Sequence, residues 1–218
     1  MKNVRLFYKK HGPLRFVSHL DMNRFMTRII RLSAVPVWYT EGFNKHPYIT
    51  FALPLSLGFN SEYEVMDFRF DLDDFPIEKA KEMIASVCPE GMEIIALSEP
   101  VFKAGKIAFA DFKISFAKDS GADVNTLREF LSAEEIIVSK KTKKGEIKEI
   151  NIAEKLGEYE VYCENGAVAL KLRLPAGGQE NINPKTLTAA YFDKIKSPNP
   201  YCSITRTMLY LADGTPFK

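Results

Sequence analysis

The chain is 218 residues long, with 46% hydrophobic and 27% charged residues, and its 30 lysines and arginines nearly balance 28 aspartates and glutamates, for a net charge of +2. That composition excludes a disordered or low-complexity chain, and no apolar run approaches the length of a membrane-spanning helix. The polar, alternating first ten residues carry no signal-peptide segment, and Cys88, Cys163 and Cys202 lack a CxxC spacing, so each reads as a small core residue of a cytoplasmic protein rather than a disulfide or zinc ligand.

Positions 4–8 alternate and are rich in β-formers, which predicts a strand. Gly12-Pro13 breaks it. Ser18, with Asp21 three residues on, is a capping-box-like helix start. Met22, Phe25, Met26, Ile29 and Ile30 then follow at helical spacing up to about residue 34, and Pro36 ends the helix. A short strand at 37–40, a loop at 41–48, strands at 49–57 and 63–72, a helix at 75–87 capped near Asp74, and a strand at 92–97 complete the order β-α-β-β-α-β, with one internal strand split by a bend near Gly58. That is the split βαβ, ferredoxin-like pattern. After a linker near 100–108 the order repeats loosely. A strand at 111–117 precedes a helix at 124–132 and strands at 135–140 and 146–152. A hairpin at 158–163 and 167–174 turns through Asn165-Gly166. A helix at 184–192 has Asn183 as cap and Pro184 at its first position, and the last strand covers 203–211. The expected fold class is α+β: two tandem ferredoxin-like domains, at 1–99 and 109–218.

Charge is unevenly spread. Residues 1–48 hold nine basic and two acidic side chains, whereas residues 49–100 hold three basic and eleven acidic. Either a basic face attracts a polyanion or the two segments pair with each other. Arg15, Ser18, His19 and Asp21 meet at a strand-to-helix junction. The unpaired N–H groups of a helix start suit a phosphate there, with Arg15 as a bidentate donor, unless Ser18 and Asp21 only cap the helix. Arg24, Arg28 and Arg31 fall on one helix face. Arginine is a good phosphate and base-stacking residue, although such stripes also serve as solvated surface. In the loop, Tyr39, Phe43 and Tyr48 interleave with Asn44, Lys45 and His46. Single-stranded RNA is held by this combination of stacking and backbone contact, which a plain surface loop also displays. The turn at 58–62 can hold Glu62 near that loop, but the sequence does not place it. Lys140, Lys141, Lys143 and Lys144 make a basic turn that suits phosphate without base specificity, or solubility alone.

The series Gly12, Arg15, Phe16, Ser18, His19, Leu20, Asp21, then Arg24, Arg28, Arg31, then Glu41, Gly42, Phe43, Asn44, His46, Pro47, then Pro54, Leu55, Gly58, Ser61, Glu64 resembles the opening of the bacterial radical SAM-linked (radical SAM-associated) proteins, built on a domain of unknown function. The chain departs mildly at Thr40 and Lys45, where the family carries Ser and Pro. The lysine turn and the Ile150-Asn151-Ile152 that follows it are also similar, with Asn151 in place of the usual Asp. The resemblance implies a cobalamin-binding radical SAM partner and a gene neighbourhood containing an E/G-type endoribonuclease and ribosomal proteins. It supplies no activity.

The expected function is thus a non-catalytic RNA-binding or adaptor protein working with that enzyme in RNA or ribosome-related modification or processing, with no cofactor, no metal, no membrane and no DNA. The chain lacks CxxxCxxC for an iron–sulfur cluster, and GxGxxG and P-loop motifs. One alternative is a metal-independent endoribonuclease resembling CRISPR repeat-processing enzymes by fold analogy, with His19 or His46 as general base. Another is a metal site built from His19, Asp21, His46 and Glu62.

Overall fold

The computed structural model describes residues 1–141, 147–178 and 180–218, with side chains at all of these except 139–141, 147 and 148. The chain is α+β and divides into two units: Met1–Lys106 together with Phe217–Lys218, and Ile107–Pro216. Among the described residues no helix is long and apolar enough to cross a membrane.

The first unit contains β1 (Lys2–Lys10), α1 (His19–Leu32), β2 (Ile49–Phe51), β3 (Asn60–Phe70), α2 (Ile77–Ala85) and β4 (Met92–Ser98). Its strands pair antiparallel in the order β4-β1-β3-β2. Alternation divides the sheet into two faces. Val4, Leu6 and Tyr8 of β1 and Met66, Phe68 and Phe70 of β3 are buried against Met22, Met26, Ile29 and Ile30 of α1 and Ala80 and Ile84 of α2. The intervening residues Asn3, Arg5, Asp67 and Arg69 therefore lie on the face without helices. Two expected strands are shorter than their β-formers suggested. The segment 49–57 keeps ladder pairing only to Phe51, because Pro54 has no N–H to donate. The segment 37–40 is reduced to isolated bridges, Val37 with Phe70 and Tyr39 with Pro47. The second helix starts after Pro76, not near Asp74.

The second unit contains β5 (Ile107–Phe116), α3 (Val124–Leu131), β6 (Ile137–Lys141), β7 (Ile147–Asn151), β8 (Tyr159–Glu164), β9 (Ala167–Pro175), α4 (Pro184–Ile195) and β10 (Cys202–Leu211). Its sheet runs β10-β5-β9-β8, again antiparallel, while β6 and β7 form a separate ladder with Val138 opposite Ile150. Setting that ladder aside, the fourth strand lies beside the first, then the third and the second, in both units. Local chemistry fixes the ends. Asp123 accepts from the N–H groups of Asn125 and Thr126 at 2.9 and 3.1 Å, and Asn183 caps α4 ahead of Pro184. Asn165 and Gly166 both have positive φ, as the tight β8–β9 turn requires. Phe116 meets Tyr191 and Phe192 edge-on at the centre of the apolar layer.

Cysteine burial differs from expectation. Cys88 and Cys202 are half-buried, but Cys163 is exposed, because it lies on the edge strand β8 just before its turn. Burial pushes the Cys88 thiol up to about 11 and raises that of Cys202. Thiolate is the reactive form. In native protein at pH 8, one thiol per chain should react quickly with a disulfide reagent, and Cys163→Ser should abolish that phase. Release of all three at one rate before unfolding would refute this assignment.

Candidate functional site

The segment from β1 to α1 is held tightly. Gly12 turns with φ +58 into a 3-10 helix, Gly12–Phe16. The buried Lys10 donates to the Val17 carbonyl at 3.3 Å, and the Gly58 N–H donates to the Arg15 carbonyl at 2.7 Å. The Ser18 hydroxyl oxygen accepts from the Asp21 N–H at 3.2 Å while its O–H donates to the Asp21 carboxylate at 2.7 Å, so both residues cap α1. The Arg15 guanidinium lies 4.6 Å over the Phe16 ring. His19 is exposed and edge-on to Phe51 at 5.2 Å. Phe16, Leu20 and Leu57 are large apolar side chains left exposed in the same segments.

At the other end of α1 a second group forms. Arg24 pairs with Asp21 at 3.3 Å. Arg28 is exposed and has no side-chain partner among the described residues. Arg31 donates to the Lys45 carbonyl at 3.4 Å, which ties the helix end to the loop 41–48. The neck of that loop is closed by the Thr40 N–H on the His46 carbonyl at 2.9 Å and by the Tyr39–Pro47 bridge. His46 Nδ1 lies 2.9 Å from the Asn44 carbonyl. The Thr40 hydroxyl lies 3.3 Å from the same Nδ1, and with a proton on Nδ1 the ring donates to that carbonyl. Between these contacts Phe43 is fully exposed, following Gly42 at φ +123. The chain leaves the loop at Tyr48, whose ring is edge-on to Trp38 at 5.7 Å; Arg69 stacks over both, 4.8 Å from Tyr48 and 5.5 Å from Trp38.

The structure thus gathers Arg31, Phe43, Asn44, Lys45 and His46 at one end of α1, with Arg28 one turn back and Tyr39 at the loop neck. Arg15, Ser18 and His19 lie at the other end; with about 1.5 Å of rise per residue, His19 and Arg31 are about 18 Å apart along the axis. The metal set of His19, Asp21, His46 and Glu62 is accordingly split. Glu62 is drawn to β1 by the pairing of Ser61 with Lys10, and meets Lys9 at 3.9 Å and His11 at 3.4 Å. No group of three or more metal-ligating side chains occurs among the described residues. Lys140 and Lys141 end β6, while Lys143 and Lys144 lie outside the described residues.

Sequence reasoning missed the helix-free face of the first unit. Arg5 is fully buried there. It forms a two-pronged bond to Asp67, both contacts 2.7 Å, donates to the Lys218 carbonyl at 2.6 Å and lies 4.5 Å over the Phe217 ring. Tyr63 donates to the Phe217 carbonyl at 2.8 Å, and burial pushes its hydroxyl up to about 12 although Arg5 pulls the other way. Beside this pair a groove of about 430 Å³ is lined by Asn3, Tyr48, Thr50, Arg69, Phe102 and Lys103, among others. The second unit repeats the pair with its polarity reversed. Asp111 of its first strand bonds Arg173 of its third at 2.7 and 3.0 Å, and Arg173 stacks 3.9 Å over Tyr210. A groove of about 450 Å³ lies there too, but its cations are matched by carboxylates: Lys113 with Glu164 at 2.7 Å and Lys171 with Glu160 at 3.3 Å. The signal available in sequence was the alternation of polar and charged residues within apolar strands, Asn3-x-Arg5 and Asp67-x-Arg69.

A family model described as an uncharacterized protein conserved in bacteria (DUF2344) matches residues 3–184, from the first strand to the start of α4. No curated protein matches the sequence.

Proposed function

The chain belongs to the bacterial DUF2344 family, and from that premise we propose that it is a non-catalytic RNA-binding adaptor, acting in the cytoplasm beside a cobalamin-binding radical SAM enzyme in RNA or ribosome-related modification or processing. On this reading each unit is a ferredoxin-like domain, the second carrying β6 and β7 as an insertion. The observation that carries the RNA part is Phe43. A phenylalanine standing wholly in solvent, on a loop pinned at its neck by backbone bonds, buries nothing in the folded protein and offers both ring faces to a base. Stacking of this kind contributes about 1–3 kcal/mol per base. Arg28, Arg31 and Lys45 flank it as phosphate ligands, with Arg24 beyond them. Lys140, Lys141, Lys143 and Lys144 add charge that binds phosphate of any sequence. Arginine supplies forked donors that match phosphate oxygens. The adaptor role draws on exposed apolar side chains, Phe16 under Arg15, and Leu20 and Leu57. The radical SAM partner rests on the resemblance of residues 12–64 alone.

One observation favours a second reading, a metal-independent endoribonuclease. His46 Nδ1 lies 2.9 Å from the Asn44 carbonyl, three residues from Phe43, so a stacked nucleotide would bring its 2′-hydroxyl near Nε2, a general base when the proton is on Nδ1. Against it, His19 lies at the opposite end of α1 from His46.

Retention of single-stranded RNA by the purified protein, followed together with fragment size in EDTA, decides between them. The adaptor retains intact RNA with an affinity that falls steeply with salt, by about 0.7 in log–log slope for each phosphate neutralised. His19→Ala leaves retention in place. Discrete fragments in EDTA that disappear in His46→Ala establish the nuclease instead. Absence of both binding and cleavage at low salt refutes both readings.

A further inference from the structure

The two sheet-face grooves differ in one respect that assigns a role to one of them. In the second unit the lining cations Lys113, Lys171 and Arg173 each meet a carboxylate. In the first unit Asp67 is the sole carboxylate lining the groove, and the buried Arg5 takes both of its oxygens. Arg69 gives its Nε–H to Asn3 at 3.1 Å and has no acidic partner among the described residues, and neither does Lys103. Two cations therefore line this groove without a local counter-charge. Arg69 is also held in place, since Tyr48 and Trp38 stack on it and Asn3 fixes its Nε. A guanidinium fixed on one side keeps its terminal N–H groups for a ligand, and loses little side-chain freedom when one arrives.

The remaining lining fits the same ligand. Tyr48 is partly exposed, and Thr50 and Asn3 are exposed; their hydroxyl and amide groups can bond a sugar or a base edge. At about 430 Å³ the groove falls in the range of small-ligand pockets, about 300–1,000 Å³. Tyr48 is also the last residue of the loop that presents Phe43, so a strand leaving Phe43 along that loop reaches the groove next.

We propose that this groove is a nucleotide subsite, in which Arg69 and Lys103 hold one phosphate and Tyr48 stacks one base of the same RNA strand that Phe43 engages. The inference rests on the RNA-binding reading and deepens it by extending the bound strand onto the helix-free face of the first unit. None of Asn3, Thr50, Arg69 and Lys103 belongs to the loop or to α1. A general parallel exists, because helix-free faces of four-stranded sheets that stack bases on aromatic side chains are one of the common modes of RNA recognition.

The test uses a single-stranded RNA oligomer carrying 4-thiouridine, with the full chain. Photocrosslinking followed by mass spectrometry should recover a peptide containing Tyr48. Lys103→Ala changes an exposed side chain with no packing role, so it keeps the fold. It should weaken binding at least about threefold at low salt and lower the log–log salt slope by about 0.7, the loss of one phosphate contact on a single strand. Arg69→Gln should weaken binding further, and its fold is checked separately by Trp38 fluorescence. If RNA binds with crosslinks confined to the 41–46 loop, and Lys103→Ala leaves slope and affinity unchanged, the subsite is refuted while the adaptor reading stands. If the unaltered protein binds no RNA, both fall.

Discussion

Asp67→Ala is expected to cost about 3 kcal/mol of stability, or more, whereas Asp111→Ala should cost about 1 kcal/mol, although the two carboxylates occupy matching places in their units. Both sit between the first and third strands of a sheet, opposite an arginine. Burial separates them. The Arg5 side chain is 1% exposed, so losing Asp67 leaves a guanidinium in the interior with only the Lys218 carbonyl and the Phe217 ring. Arg173 is 26% exposed, and water can replace what Asp111 supplied. Urea titration reads the difference. The single tryptophan, Trp38, lies in the first unit, so its fluorescence follows that unit. Asp67→Ala should move the Trp38 midpoint down by about 1–3 M urea, taking an m-value of about 1–3 kcal/mol/M. Asp111→Ala should leave that signal nearly in place and shift only far-ultraviolet dichroism. Equal shifts of the fluorescence midpoint in the two variants would show that burial is not what distinguishes these pairs.

The second large effect concerns binding. Phe43→Ala should weaken single-stranded RNA by about 5- to 150-fold, the equivalent of 1–3 kcal/mol for one lost stack. Phe43→Trp should preserve affinity, because a larger π-face replaces the phenyl ring. Neither change should alter thermal stability, since the side chain is fully exposed. The salt slope discriminates further. Removing a neutral ring leaves it unchanged, whereas Arg28→Ala should lower it by about 0.7. Fluorescence anisotropy at several salt concentrations measures both quantities. An unchanged Kd for Phe43→Ala would remove the principal support for RNA recognition by this loop.

Much of the fold was legible because it follows from local physics. The spacing of Met22, Met26, Ile29 and Ile30 marked the buried face of α1, and Ser18 marked its start, where the hydroxyl does cap the helix. Asn165-Gly166 marked a turn that needs two positive φ angles, and Asn183-Pro184 a helix start. Errors arose where β-propensity met a residue that cannot join a ladder. Pro54 shortened β2, and the segment 37–40 kept two bridges instead of a strand.

The candidate site was legible in part. The loop aromatics and the arginines of α1 declare themselves by composition, and the sequence alone identified them. That Arg31 rather than Arg15 adjoins the loop is a tertiary fact, set by the direction in which α1 crosses the sheet and by the bond from Arg31 to the Lys45 carbonyl. Glu62 shows the same limit, because strand register placed it beside Lys9 and His11, away from His46.

The sequence by itself determined the elements, their caps and turns, and the residue types available for phosphate and base contact, because these depend on neighbours within a few positions along the chain. Only the tertiary structure decided which charges are satisfied. Arg5, Arg69 and Arg173 are alike on paper. One is buried on Asp67, one stacks on Tyr48 and Trp38 without an acidic partner, and one is paired at a surface groove. Coulomb energy and desolvation depend on separations and burial across strands more than 60 residues apart in sequence, as between Arg5 and Asp67, which a local pattern does not contain.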